Sequence, residues 1–397
     1  MRIAAVLFWG PWGQSTGVSY APMTFPPIRK TRNVLALCAL ACTPAVGCVF
    51  PASGPGPAVG ANMVSQNDVR PLREAAALAQ RKVGTALMSH HLTDPALAPL
   101  VAAQFDSLTP ENEMKWETVE PQPGVFAFQA GDRLVAFAQA HAMRMRGHTL
   151  VWHSQLAPWV KGLSGDALRA AMTRHIQNVV GHWKGQVAQW DVVNEAFADG
   201  PGGSLRKDSP FTALGPTFID DAFRLAHEAD PAARLFYNDY EIEWDGTAKS
   251  DAAYRLCKRM KEAGVPIHGI GLQTHIDPRN GVHVERIRRN IERFAALGLA
   301  VELTEVDVPV GAIPGTIEEK LRRQQAITHD VVAACVAVAG CTGITFWGVS
   351  DRDSWLNSPQ WGSLRGPGPH FPLPFNRDYQ PKPMVLGILA AFAAAKP

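Results

Sequence analysis

Two carboxylates in this chain have the placement that paired acid chemistry requires. The segment "QWDVVNEAF", Gln189 to Phe197, ends a run of strand-forming residues on Asn194 and Glu195. The segment "VELTEVDV", Val301 to Val308, does the same with Glu305, 110 residues further on. One protonated and one ionised carboxyl group facing a common cavity can cleave a glycosidic bond. The acid protonates the departing oxygen, and the carboxylate stabilises or attacks the anomeric carbon. The two groups must then titrate differently, which requires unlike surroundings. Sequence order suggests His275 as a hydrogen-bond partner for Glu305 and Asp307 as the group that orients His275. An anionic Glu305 nearby would keep Glu195 protonated by like-charge repulsion. The amide of Asn194 would hold a sugar hydroxyl.

Each of these residues also has a plainer reading. A single Glu after a strand commonly serves as a helix N-terminal charge, a single His as a satisfied structural residue, and Trp347 or Trp355 as core. Recurrence favours the chemical reading. Strand-like runs begin near Val83, Phe105, Met145, Val187, Arg234, His268, Val301 and Gly343, and segments of helical period separate them. Nearly every run ends in polar or aromatic residues: Glu111-Asn112, His148 with Trp152-His153, Asn194-Glu195, Asn238-Asp239, Gln273 with His275, Glu305 with Asp307, and Trp347.

Eight strands alternating with helices predict an α/β chain forming a single (β/α)8 barrel, whose active sites lie at the C-terminal ends of the strands. A doubly wound open sheet is the alternative, weakened because no G-x-G-x-x-G follows the first strand. Ser164 is the expected cap of the helix "GDALRAAMTRHIQNVVGHW". Pro231 should stop another helix, and Gly264 and Gly298 should end two more.

At this point the sequence resembles a known family. "ENEMKW" (from Glu111), "RGHTLVWHSQLAPW" (from Arg146), "WDVVNEAF", "YNDY" (from Tyr237), "GIGLQTH" (from Gly269), "LTEVDV", "GITFWGVSDRDSW" (from Gly343) and "RDYQPKP" (from Arg377) resemble, in order, the blocks of glycoside hydrolase family 10 endo-β-1,4-xylanases. The resemblance covers roughly residues 70–395. It implies a retaining double displacement on xylan or xylo-oligosaccharides, with Glu195 as acid/base and Glu305 as nucleophile. Glu111, Asn112 and Lys115 match residues that bind the non-reducing-side xylose. His148, Trp152, Gln155, Asn194, Gln273 and His275 match the lining around the cleaved bond, and Trp347 and Trp355 the aromatic walls. Cys335 and Cys341 match a family disulfide. No cofactor or metal is implied. Three positions depart from the family pattern: Glu241 where Asn is common, Asn376 for Asp, and Val306 for Leu. These bear on distal subsites rather than on the reaction.

Other readings remain: a glucanase on the same barrel, a non-catalytic sugar-binding barrel, and a metal-dependent sugar isomerase. A lectin needs aromatic platforms but no carboxylate pair, and an isomerase needs several ligands converging on one metal. The absence of a G-x-S-x-G run argues against a serine nucleophile elbow.

Composition fits a globular domain. Hydrophobic residues make up 46% and charged residues 19% of 397, ample for a large core. The net charge of +2 gives no reason to expect a nucleic-acid partner, and a monomer is expected. Residues 1–67 contain Arg2, Arg29, Lys30 and Arg32 but no acidic residue. Arg29, Lys30 and Arg32 precede the apolar run Val34 to Cys42 and a Pro/Gly/Ala-rich stretch, the pattern of an export signal. Residues 1–66 therefore read as a leader, with Met23 as a potential true start, and residues 67–397 as the catalytic domain. Export leaves the protein periplasmic or secreted; Cys48 in "AVGC" fits lipid attachment poorly. Cys335 and Cys341 are close enough in sequence for a local disulfide in such a compartment, and no C-x-x-C suggests structural zinc.

Overall fold

The computed structural model describes residues 70–200, 202–362 and 364–395. The leader, Met23, Cys48 and the boundary between residues 66 and 67 lie outside them. Eight parallel strands close into one barrel in sequence order. They are β1 (Lys82–Leu87), β2 (Ser107–Pro110), β3 (Arg144–Trp152), β4 (Gln189–Asn194), β5 (Arg234–Asp239), β6 (Gly269–Leu272), β7 (Ala300–Val306) and β8 (Cys341–Phe346). Each begins within two residues of its sequence-based position. Closure, with β1 paired to β8, rules out the open doubly wound sheet.

The crossover helices carry the stops read from the sequence. The helix Ala248–Glu262 ends at Gly264, which adopts φ +65°, and the amide of Val265 then bonds back to the carbonyl of Met260 at 2.9 Å. That left-handed turn is cheap for glycine and satisfies a terminal carbonyl. The helix Val284–Ala295 gives way to Gly298 at φ +74°. Ser164 does stand at the N-cap of the helix Gly165–His182, but its side chain makes no capping bond, so it supplies extended backbone geometry only. Two caps that the pattern missed are Thr247, whose Oγ1 accepts from the amide of Ser250 at 3.2 Å, and Thr316, which forms a reciprocal capping box with Glu319. Cys335 and Cys341 are disulfide-bonded and close the turn between the helix Ile317–Val336 and β8. Cys257 is a buried free thiol, pushed up to about 12 by burial.

Apolar side chains on the outer face of the strands pack against the helices, while the barrel interior near β3, β4 and β7 is charged. Arg146, buried to 1% exposure, donates to both Asp191 and Glu302. Arg144, Gln189 and Thr342 also donate to Glu302. Burial alone would raise both acids, but Arg146 on Asp191, and Arg144 with Arg146 on Glu302, hold them below the usual carboxylate range. Asp191 also bonds Nδ1 of His148 at 3.0 Å, tying this floor to the mouth above.

Removing one member of a buried ion network leaves an uncompensated charge. Glu302→Ala is therefore expected to lower unfolding free energy by about 3–5 kcal/mol in urea denaturation. A change under about 1 kcal/mol, the level of a surface pair, would show that the floor is not held this way.

Candidate active site

The register of the barrel brings the chemistry together. Trp152 on β3 pairs with Asn194 on β4, Asn194 with Asn238 on β5, and Asn238 with Gly271 on β6. A bridge beyond the strands pairs His275 with Asp307. Strand-end residues from half the barrel thus lie side by side at one level of the mouth.

Asn238 sits at the centre. Its Nδ2 donates to Asn194 Oδ1 and to Glu305 Oε1, both at 2.8 Å, while its Oδ1 accepts from Thr304 Oγ1 at 2.6 Å. Both hydrogens of one amide nitrogen are thereby used. The adjacent strand leaves it room only as glycine: a Cβ on Gly271 would stand 2.1 Å from Asn238 Oδ1.

Glu195 follows the last residue of β4 and takes φ +56°, a left-handed conformation that is uncommon outside glycine. Its amide donates to the carbonyl of Asn238 at 2.8 Å, and Arg206 Nε donates to its carbonyl at 3.0 Å. Such backbone strain persists only where surrounding bonds over-determine it. Trp152 Nε1 donates to Oε2 at 2.7 Å. Gln273 Nε2 and Asn194 Nδ2 donate to Oε1 at 2.8 and 3.2 Å. Asn194 is therefore already engaged by protein groups, with one amide hydrogen left for another acceptor.

Glu305 accepts from Asn238 and from His275 Nε2, the latter at 3.2 Å. His275 Nδ1 donates to Asp307 Oδ2 at 2.8 Å, and Trp355 Nε1 donates to the same oxygen at 2.9 Å. The sequence-based chain Glu305–His275–Asp307 is present as read. Burial disfavours the charged ring, but Asp307 and then Glu305 more than offset this and push His275 up to about 10. His275 is thus an imidazolium at neutral pH, lying between two carboxylates.

Glu111, Asn112, Lys115 and Gln155 form a second cluster beside the first. Lys115 Nζ donates to Gln155 Oε1 at 2.7 Å and to Asn112 Oδ1 at 3.2 Å, and lies 4.9 Å from the Trp152 ring centroid. Gln155 Nε2 donates to Asn112 Oδ1 at 3.1 Å. Burial pushes the Glu111 carboxyl up to about 7 even though Lys115 pulls it down. Trp347 meets His148 and His275 edge-on, with centroids 5.2 and 6.4 Å away, and Trp355 lies 5.2 Å from His275. The candidate catalytic and substrate-binding residues gather at the mouth, whereas Cys335 and Cys341 lie at the opposite, N-terminal end of β8.

The sequence reading gave no role to three further residues. Asn238 was visible in "YNDY" only as a polar strand end. Arg206 anchors the segment after Glu195. Glu243, buried to 2%, accepts the amide of Thr274 at 2.8 Å. Thr274 adopts φ +63° between Gln273 and His275, so this bond fixes the backbone that aims one side chain at Glu195 and the other at Glu305. "YNDYEIE" held the only clue, a second carboxylate after β5.

A family model for glycosyl hydrolase family 10 matches residues 71–391. The chain belongs to this family. It is 41% identical over 291 residues to a beta-1,4-xylanase of Dictyoglomus thermophilum, spanning 71% of this chain and 81% of that protein. The fold is similar to that of native xylanase 10B from Thermotoga maritima, with TM-score 0.76 and 38% identity over 81% of this chain and 98% of that one. It is equally similar to xylanase 10B from Thermotoga petrophila, solved with xylobiose, at TM-score 0.76 and 38% identity over 81% and 97% of the two chains.

The His275 ring makes a pH-dependent contribution to stability. Its folded value, about 10, lies above its ordinary 6.5, so it stabilises the protein fully below pH 6.5 and ceases to as pH rises through about 10. The wild type should lose stability across that window by an amount that His275→Asn lacks, measured as urea midpoints at several pH values. Parallel pH curves for the two proteins would contradict the assignment.

Proposed function

We propose that this family 10 enzyme is an endo-1,4-β-xylanase that hydrolyses internal β-1,4-xylosidic bonds with retention of configuration. One observation carries the assignment of roles. Glu305 receives an amide hydrogen from Asn238 and a hydrogen bond from imidazolium His275. These two bonds hold the Glu305 carboxylate in place and set a cation beside it. Glu305 is accordingly the nucleophile. Glu195, bonded to neutral indole and amide donors from Trp152, Gln273 and Asn194, is the acid/base.

In the first step Glu305 forms a bond to the anomeric carbon while the glycosidic C–O bond breaks. Glu195 gives its proton to the departing oxygen. In the second, Glu195 takes a proton from water, the water oxygen attacks the anomeric carbon, and the bond to Glu305 breaks. Two inversions give net retention. The Glu111–Asn112–Lys115–Gln155 cluster binds xylose on the non-reducing side, offering charged and amide groups to its hydroxyls. Trp152, Trp347 and Trp355 present indole faces to the apolar sugar faces.

Xylan and xylo-oligosaccharides are the substrates, and the similarity to named xylanases supports this over glucans. The basic-then-apolar leader, together with the Cys335–Cys341 disulfide, supports export to an oxidising compartment. The enzyme is proposed to act as a monomer without a cofactor.

Glu195→Ala and Glu305→Ala should each lower xylan hydrolysis by roughly 10²–10⁴-fold or more. A xylobiosyl fluoride, whose leaving group needs no proton, should partly bypass the loss in the first variant but not in the second. Full xylan activity in either variant, or faster cleavage of cellulose than of xylan by the wild type, would defeat the reading.

A further inference from the structure

Trp361 is the one exposed tryptophan among the described residues, at 40%. It lies in the long segment after β8, and its ring meets Trp355 edge-on with centroids 6.0 Å apart. Trp355 bonds Asp307 and packs on His275, so it belongs to the wall of the cleft. Trp361 therefore continues that wall by one ring.

The backbone around Trp361 is pinned. The amide of Trp361 donates to Ser358 Oγ at 3.3 Å, and that of Gly362 to the Ser358 carbonyl at 2.8 Å. His370, buried to 1%, bonds the Gly362 carbonyl through Nε2 at 2.6 Å, and its own amide donates to Asn357 Oδ1 at 3.1 Å. Arg365 reaches across to the segment after β6, donating to the carbonyl of His275 at 3.5 Å and lying 3.8 Å from Asp277. A ring packed on Trp355, carried on a pinned backbone and still exposed, is preorganised to bind something flat and apolar on its open face.

The contacts also fix the side of the cleft. Glu111, Asn112, Lys115 and Gln155, placed on the non-reducing side in the proposed function, follow β2 and β3. Arg365 ties the Trp361 segment to the residues after β6, which lies across the closed barrel from β2. We propose that Trp361 is a further sugar platform on the leaving-group side, binding a xylose unit of the polysaccharide beyond the cleaved bond through the apolar face of its ring. This rests on the xylanase reading. It makes activity on chains that reach past the cleaved bond depend on a residue outside the catalytic network.

Two substrates separate the alternatives. Xylohexaose extends on both sides of the cleaved bond, whereas 4-nitrophenyl β-xylobioside carries only a nitrophenol beyond it. For Trp361→Ala the ratio of kcat/KM on xylohexaose to that on the nitrophenyl xylobioside should fall about tenfold, from a raised KM, as expected for losing one aromatic stacking contact. Trp361→Phe should recover most of the ratio. An unchanged ratio overturns the platform, whether both activities survive or both fall together. Wild-type protein inactive on both substrates would instead refute the xylanase reading itself.

Discussion

The site depends on how two buried carboxylates can share one cavity without repelling each other out of position. A side-chain amide solves this. Asn238 donates one hydrogen to Glu305 and the other to Asn194, which in turn donates to Glu195. Neutral dipoles, rather than a cation, link the two acids to each other. His275 is the cation bonded directly to one of the two carboxylates, on the Glu305 side, and is itself shared with Asp307. The asymmetry between two chemically identical side chains arises from that placement.

Keeping this arrangement requires a rigid frame, and the frame is polar as well as apolar. The Arg146–Asp191–Glu302 floor reaches the mouth through His148. Glu195 and Thr274 hold left-handed backbone at two of the places where a side chain must be turned toward its partner. Each is clamped: Glu195 by Asn238 and Arg206, Thr274 by Glu243. Strain at such positions is of order 1–3 kcal/mol per residue and must be offset by the surrounding bonds. Glycine at 271 is the reciprocal constraint, since the neighbouring strand must surrender its side chain for the Asn238 amide to fit.

Much of this was legible in the sequence. Strand starts followed from β-branched runs, and helix ends from Gly264 and Gly298, because these signals depend on local backbone physics. Glu195, Glu305, His275 and Asp307 were readable because they recur at strand ends, and a barrel brings strand ends together. Asn238 was not, since an Asn beside an Asp at a strand end carries no sign of bridging two acids until the register is known. Glu243 was hidden for the same reason: its partner is a backbone amide, and no sequence pattern marks an amide as strained. Ser164 shows the opposite error, a residue of the right type at the right position whose hydroxyl makes no capping bond.

The central claim is that the network keeps Glu305, and not Glu195, as the attacking carboxylate. The most direct measurement is to treat the enzyme with a 2,4-dinitrophenyl 2-deoxy-2-fluoro-β-xylobioside and locate any covalent sugar by peptide mass spectrometry. The account expects one fluoroxylobiosyl group on the peptide containing Glu305, formed as activity is lost. A label on Glu195, or no label with an inverted product under the same conditions, would contradict it.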